Sequence, residues 1–173
     1  MEYAFEYAYT GDDMHFSEGF ATMSTPEPVV IENRFGTFRF EPEQMLDLPQ
    51  GLIGFAQFRR FGVGNLPGDG ATNHFKLLQS LDEPNLSFIV WPTTAENAMI
   101  AAEDVDALLD SFHISRDALV LLHIVTIREM GGQISMTLNV KAPVVVDATA
   151  RTAVQHVIPG DAYTVRQPLV LAA

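Results

Sequence analysis

From Val29 onward, apolar and polar residues alternate in short runs broken by turn-forming residues, which is the pattern of a β-rich chain. Val29-Val30-Ile31 and Phe35 to Phe40 flank Asn33-Arg34, where a turn is expected, and Thr37 and Arg39 alternate with Phe38 and Phe40. Leu48 to Phe55 reads as an apolar loop punctuated by Pro49, Gly51 and Gly54. Phe58 to Val63 is predicted as a strand and Gly64 to Thr72 as a loop. Phe75 to Leu81 and Leu86 to Trp91 are predicted as strands around a turn at Asp82-Glu83-Pro84-Asn85. The strongest β signal lies in the last third. There Leu119 to Arg128 leads into Gly131-Gly132, which can supply the positive φ values of a tight hairpin. Ile134, Met136, Leu138 and Val140 then alternate with Gln133, Ser135, Thr137 and Asn139. Pro143 to Val146, Val154 to Ile158 and Tyr163 to Arg166 complete a set of about nine or ten short strands.

One helix interrupts this series. Across Glu103 to Phe112, Val105, Leu108, Leu109 and Phe112 fall at i, i+3, i+4 and i+7 and make one apolar stripe. Glu103, Asp104, Asp106 and Asp110 lie off it, and the early acids suit the positive end of the helix dipole. The stripe is expected to dock on a sheet. With no alternation of strand and helix, a doubly wound parallel sheet is disfavoured; the fold class expected is mainly β, a compact antiparallel barrel or sandwich with one short amphipathic helix.

Residues 1–23 differ from the rest. They carry three of the four tyrosines, five acids (Glu2, Glu6, Asp12, Asp13, Glu18) and no Lys or Arg. With the breaker Ser24-Thr25-Pro26-Glu27-Pro28 behind them, residues 1–27 are expected to be an accessory tail, and residues 28–173 a single β domain. Met23-Ser24-Thr25 offers an alternative start, so residues 1–22 are expected to be dispensable. The acidic beginning does not suit a secretory leader, and no apolar run approaches the length of a membrane-spanning helix.

Charge narrows the partners. Asp and Glu number 22 against 10 Lys and Arg in 173 residues, a formal charge of −12. Such a chain repels phosphate backbones, so direct nucleic-acid binding is not expected and a basic protein partner is favoured. The acids best placed for one are Asp82, Glu83, Glu103, Asp104 and Asp106. No cysteine is present, which removes thiolate metal sites and cysteine nucleophiles. The five histidines show no metal-ligand spacing, and His123, in an apolar strand, reads as a hydrogen-bonded core or interface residue. Gly62-Val63-Gly64-Asn65-Leu66-Pro67-Gly68 echoes a glycine-rich phosphate loop, but no Lys-Ser/Thr follows and Pro67 interrupts it, so it reads as a plain loop. No cofactor, metal or catalytic residue is expected.

Four segments, in order, carry a family resemblance. Leu48-Pro49-Gln50-Gly51-Leu52-Ile53-Gly54-Phe55 resembles the P-x-G-[IL]-x-G-F segment of the flagellar assembly factor FliW family. Leu78-Gln79-Ser80-Leu81-Asp82 with Phe88 resembles its L-Q-S-x-[DE]…F segment, Thr137 to Val145 its T-x-N-L-x-A-P-[IV]-V segment, and Tyr163-Thr164-Val165-Arg166 its closing Y-x-x-R. Val140, Ala56 and Asp147 stand where the family commonly has Leu, Glu and Asn. The motif residues Pro49, Gly51, Gly54, Phe55, Gln79, Ser80, Asn139, Pro143, Tyr163 and Arg166 are expected to be structural, the glycines through φ values or close approaches that a Cβ forbids.

The resemblance implies a monomeric, non-enzymatic, cytoplasmic protein. It implies binding to flagellin before export and, when free, to the RNA-binding translational regulator CsrA, which it antagonises. A small β-barrel enzyme or small-molecule binder is the alternative, and a structural, oligomer-forming domain a third.

Overall fold

The computed structural model describes residues 27–67 and 74–169. The expected tail at residues 1–27 lies, but for Glu27, outside the described residues.

Among the described residues, eleven strands and one α-helix follow in order: β1 (Val29–Asn33), β2 (Gly36–Phe40), β3 (Met45–Asp47), β4 (Arg60–Asn65), β5 (Lys76–Ser80), β6 (Ser87–Thr94), α1 (Ala102–Phe112), β7 (Leu119–Met130), β8 (Gln133–Leu138), β9 (Val144–Asp147), β10 (Thr152–Gln155) and β11 (Gln167–Pro168). A 3-10 turn at Pro42–Gln44 leads into β3; neither is foreseen from the sequence, because three residues are too few to show a period. The mainly β class with one short helix is what the structure has.

Seven strands close into a barrel. β3, β4, β5, β6 and β7 pair in that order, β7 also pairs with β9, β9 with β10, and β10 returns to β3. Every pairing is antiparallel except the closing one, where Thr152 lies beside Asp47 in parallel and the Asp47 N–H donates to the Arg151 carbonyl at 2.9 Å. Closure removes the sheet edges that an open sheet would expose. The interior is filled by Leu46, Phe61, Leu78, Val90, Leu122, Val144 and Val146, with Leu48 and Leu52 entering from the apolar loop.

The outer face of β7 holds a second core. Leu119, Leu121 and Val125 are buried there under Val105 and Leu108 of α1, while Leu109 and Phe112 are half-buried at its margin. The helical stripe thus docks as its spacing requires. A third cluster lies under the β1–β2 hairpin, where Ile31, Phe40 and Leu81 are buried.

Four local expectations are corrected. Tyr163 to Arg166 is not a strand: the Thr164 carbonyl accepts the N–H groups of both Val140 and Lys141 at 3.1 Å, which bends the segment, and pairing with β8 begins only at Gln167. Gly62 to Asn65 belongs to β4 and not to a loop, since the rings of Phe38 and Phe40 occupy the space above Gly62 and Gly64. The strand expected at Phe58 starts at Arg60, because the Phe58 N–H closes a turn onto the Phe55 carbonyl at 3.1 Å. The alternation of β8 has the expected sides, but Ile134 is 70% exposed and only Leu138 is buried, because the β7–β8 hairpin runs past the barrel. Gly131 and Gly132 turn that hairpin with φ of 59° and 78°.

Candidate functional site: an apolar cleft beside the Gly51–Phe55 turn

The Pro49–Phe55 loop is built by two glycines for different reasons. Gly51 has φ +62°, and a Cβ there would stand 2.6 Å from the Phe55 carbonyl oxygen and 2.7 Å from the Ala56 Cα, so no side chain fits. Gly54 has φ +86° with open space around it, so its requirement is conformational only. Between them the chain reverses, with the Phe55 N–H donating to the Leu52 carbonyl at 2.7 Å. Leu52 is thereby turned into the barrel while Ile53 stands 61% exposed. Gln155 of β10 fixes the turn: its Oε1 accepts the Ile53 N–H at 2.9 Å and its Nε2 donates to the Ala142 carbonyl at 3.1 Å.

Beside this turn a cleft of about 400 Å³ opens. Ile53, Phe55, Phe88, Ile124, Val157 and Val165 form its apolar lining, with Asn139, Lys141 and Gln155 as the polar members. Phe55 and Phe88 meet edge to face at 5.6 Å. Val157 and Val165 are 50% and 52% exposed, so together with Ile53 they bring three large aliphatic side chains to one place on the surface. Single exposed aliphatics are ordinary; here three rim one concavity. Lys141 is the one titratable group in the lining, and its ammonium donates to the Gly160 carbonyl.

The other motif residues hold turns. Gln79 is fully buried; its Oε1 accepts from Asn33 Nδ2 at 2.6 Å, and its Nε2 faces the carbonyls of Ser80, Glu83, Pro84 and Leu86 at 2.8–3.2 Å. Ser80 Oγ accepts the N–H groups of Asp82 and Glu83 at 3.2 and 3.0 Å. The 82–85 turn is therefore built on these two side chains. Asn139 Oδ1 accepts the Ala142 N–H at 2.8 Å and shapes the approach to the buried Pro143. Arg166 is exposed, and its N–H donates to Thr164 Oγ1 at 3.1 Å.

The five acids do not form one cluster: two lie in the 82–85 turn and three on α1. Asp82 pairs with Arg60 at 2.8 Å and accepts the backbone N–H groups of Arg59 and Arg60 at 3.2 Å. Partial burial acts to raise its pKa, but the hydrogen bonds and charge of Arg60 hold it below the usual carboxylate value. Glu83 Oε1 accepts from the backbone and side chain of Asn85 at 3.0 and 3.1 Å. Asp106 pairs with Arg116, and Asp104 accepts the Tyr163 hydroxyl. That hydroxyl also accepts the Ala101 N–H at 2.8 Å, at a helix start whose N-cap residue has no side chain able to cap it. The Ala101 N–H acts to lower the Tyr163 pKa, but the hydrogen bond to Asp104, burial and the two nearby carboxylates outweigh it and leave the pKa raised. Glu103 projects from the first turn, exposed.

Sequence reasoning missed Gln155, Val157, Val165 and Arg60. A lone Gln and two valines carry no local signal; only the closed barrel brings them to the Gly51–Phe55 turn.

Comparison with known proteins places this geometry. The chain is 32% identical over 145 residues to the flagellar assembly factor FliW of Bdellovibrio bacteriovorus, covering 82% of this chain and 78% of that protein. It is 32% identical over 136 residues to the flagellar assembly factor FliW of Treponema pallidum, covering 78% and 87%. A crystal structure of the flagellar assembly factor FliW shares the fold with a TM-score of 0.62 at 21% identity, over 82% of this chain and 97% of that one. The family model described as FliW protein matches residues 29–169, from the first strand of the hairpin to the residue after β11, and the chain belongs to the FliW family.

Proposed function

We propose that this chain is a flagellar assembly factor that binds flagellin in the cytoplasm and, when free of it, binds and antagonises the RNA-binding regulator CsrA, so that the flagellin level sets flagellin translation. The observation that carries the reading is the cleft with Ile53, Val157 and Val165 at its rim. Flagellin segments that are unfolded before assembly must order on binding, and apolar contacts have to offset that cost. A concave apolar surface is what such a partner requires. The charge of −12 supports attraction of a basic RNA-binding protein. An enzyme would instead gather convergent polar groups in its cleft, whereas the lining here is mainly apolar.

Calorimetry of the full chain with flagellin from the same cell tests this. The expected result is one-to-one binding with a negative heat-capacity change, lost in Ile53→Asp with Val165→Asp. No heat and no co-elution at micromolar concentration would overturn it.

A further inference from the structure

The turn that carries Ile53 is tied to the rest of the barrel by very little. Its backbone hydrogen bonds close locally: Gly51 N–H onto the Leu48 carbonyl at 2.8 Å, Phe55 N–H onto Leu52 at 2.7 Å and Phe58 N–H onto Phe55 at 3.1 Å. Packing holds Leu52 in the barrel interior and Phe55 against Phe88. Ile53 stands between them, 61% exposed, and is followed by Gly54, which has open space around it. Among the described residues, one hydrogen bond joins residues 49–58 to another element. It runs from the Ile53 N–H to Gln155 Oε1, across 102 positions of sequence.

Gln155 is itself held in place. Its Nε2 donates to the Ala142 carbonyl at 3.1 Å, and the Ala142 N–H donates to Asn139 Oδ1 at 2.8 Å. The backbone around Gln155 is pinned to the same corner. Gln155 lies opposite Val144, the His156 N–H donates to the Pro143 carbonyl at 3.0 Å, and the Ile158 N–H donates to the Lys141 carbonyl at 2.9 Å. One end of the carboxamide meets a carbonyl and the other an N–H, so both of its chemical functions are used and its orientation is fixed. Asn139, Ala142, Gln155 and Ile53 all line the cleft, so this run of bonds follows its wall and ends at the rim.

A rim residue that is free to wander has to be ordered when a partner arrives, and that cost is subtracted from the affinity. We propose that Gln155 is a positioning residue of the cleft: it holds Ile53 at the rim before a partner arrives, and so sets affinity through Ile53. The proposal rests on the reading of the cleft as the flagellin site.

Gln155→Met keeps the side chain's length and loses both bonds. In the free full chain the Ile53 amide should exchange about tenfold faster in this variant. Core amides such as Leu121 should keep their rates, which reports an intact fold. Flagellin affinity, read by calorimetry, should fall about fivefold, the size of one hydrogen bond's net contribution. A double-mutant cycle then tests the route through Ile53. In an Ile53→Ala background, Gln155→Met should change affinity no further, whereas a merely structural role would weaken binding equally in both backgrounds. An Ile53 amide indifferent to Gln155→Met, an unchanged flagellin affinity, or an equal loss in the two backgrounds overturns the proposal and leaves the cleft as the binding site. Flagellin that fails to bind the unmodified chain overturns the reading of the cleft, and the proposal with it.

Discussion

The ring of Phe40 lies directly on the backbone of Gly62: a Cβ at that glycine would stand 2.4 Å from Phe40 Cδ1 and 2.6 Å from Cγ. This contact seats the β1–β2 hairpin on the outer face of β4. Gly→Ala inside a strand ordinarily lowers the entropy cost of folding. Here the sign inverts, since neither the backbone nor the fully buried ring can yield. Gly62→Ala is expected to destabilise by about 1–3 kcal/mol in chemical denaturation. Gly64→Ala, whose Cβ would meet Phe40 only at 3.1 Å, should lose less. Equal tolerance of both would remove the ring from its place.

Leu108→Ala should leave a cavity between α1 and the outer face of β7. Leu108 is 4% exposed, so a loss of about 2–5 kcal/mol is expected. Urea unfolding with an unchanged midpoint would mean that the helix is not docked there.

His123 predicts a loss of stability in acid. It is fully buried, with Nε2 3.2 Å from Thr93 Oγ1 and Nδ1 3.3 Å from the Asn139 carbonyl. Burial lowers its pKa, against a smaller opposing effect of that carbonyl. The unfolded chain takes up the proton near pH 6.5 and the folded chain only at lower pH. The contribution is complete above the unfolded value and declines as pH falls below it toward the folded one. Unfolding midpoints between pH 8 and 5 should therefore fall more steeply for the unmodified chain than for His123→Gln. Parallel curves would contradict the assignment.

Removing the Tyr163 hydroxyl separates the helix start from the closing segment. Tyr163→Phe leaves the Ala101 N–H and the Asp104 carboxylate without their shared partner. A loss of about 0.5–1.5 kcal/mol is expected, with faster amide exchange in the first turn of α1. Unchanged exchange there would show that water replaces the hydroxyl at no cost.

Charge should govern the rate at which a basic regulator is captured. Asp104 and Asp106 have intramolecular partners, so Glu103→Lys with Asp110→Lys is the cleaner variant. Each exposed charge is expected to contribute only about 0–1 kcal/mol to affinity. The association rate with the CsrA-type protein should nevertheless fall in the double variant at low salt, and the difference should fade as salt rises. A salt-independent rate in the unmodified chain would move the contact away from acidic surface.

Much of the fold was legible because it is written in spacing. The stripe of Val105, Leu108, Leu109 and Phe112 has the helical period, and the hairpin at Gly131-Gly132 has both its alternation and its turn chemistry in adjacent residues. Gln79 and Ser80 stand out only through the family resemblance, and the structure shows their side chains bonding the turn that follows them. Where spacing is too short to show a period, as in β3 and β11, the sequence was silent. Where one residue's role depends on another far along the chain, it misled: Gly62 and Gly64 resemble loop glycines until Phe38 and Phe40 arrive above them, and Tyr163 to Arg166 alternates like a strand until Thr164 is drawn to two amides at once.

By itself, the sequence determined the β class, the helix and its buried side, the need for glycine at positions 51 and 54, and an acidic surface. These are one-dimensional properties, set by period, side-chain chemistry and allowed φ. Tertiary structure decided that β10 meets β3 to close the barrel, that Asp82, Asp104 and Asp106 have partners within the molecule, and that Ile53, Val157 and Val165 rim one cleft. Those facts depend on distances between residues up to about a hundred positions apart, which are set only when the whole hydrogen-bonded circuit of strands closes.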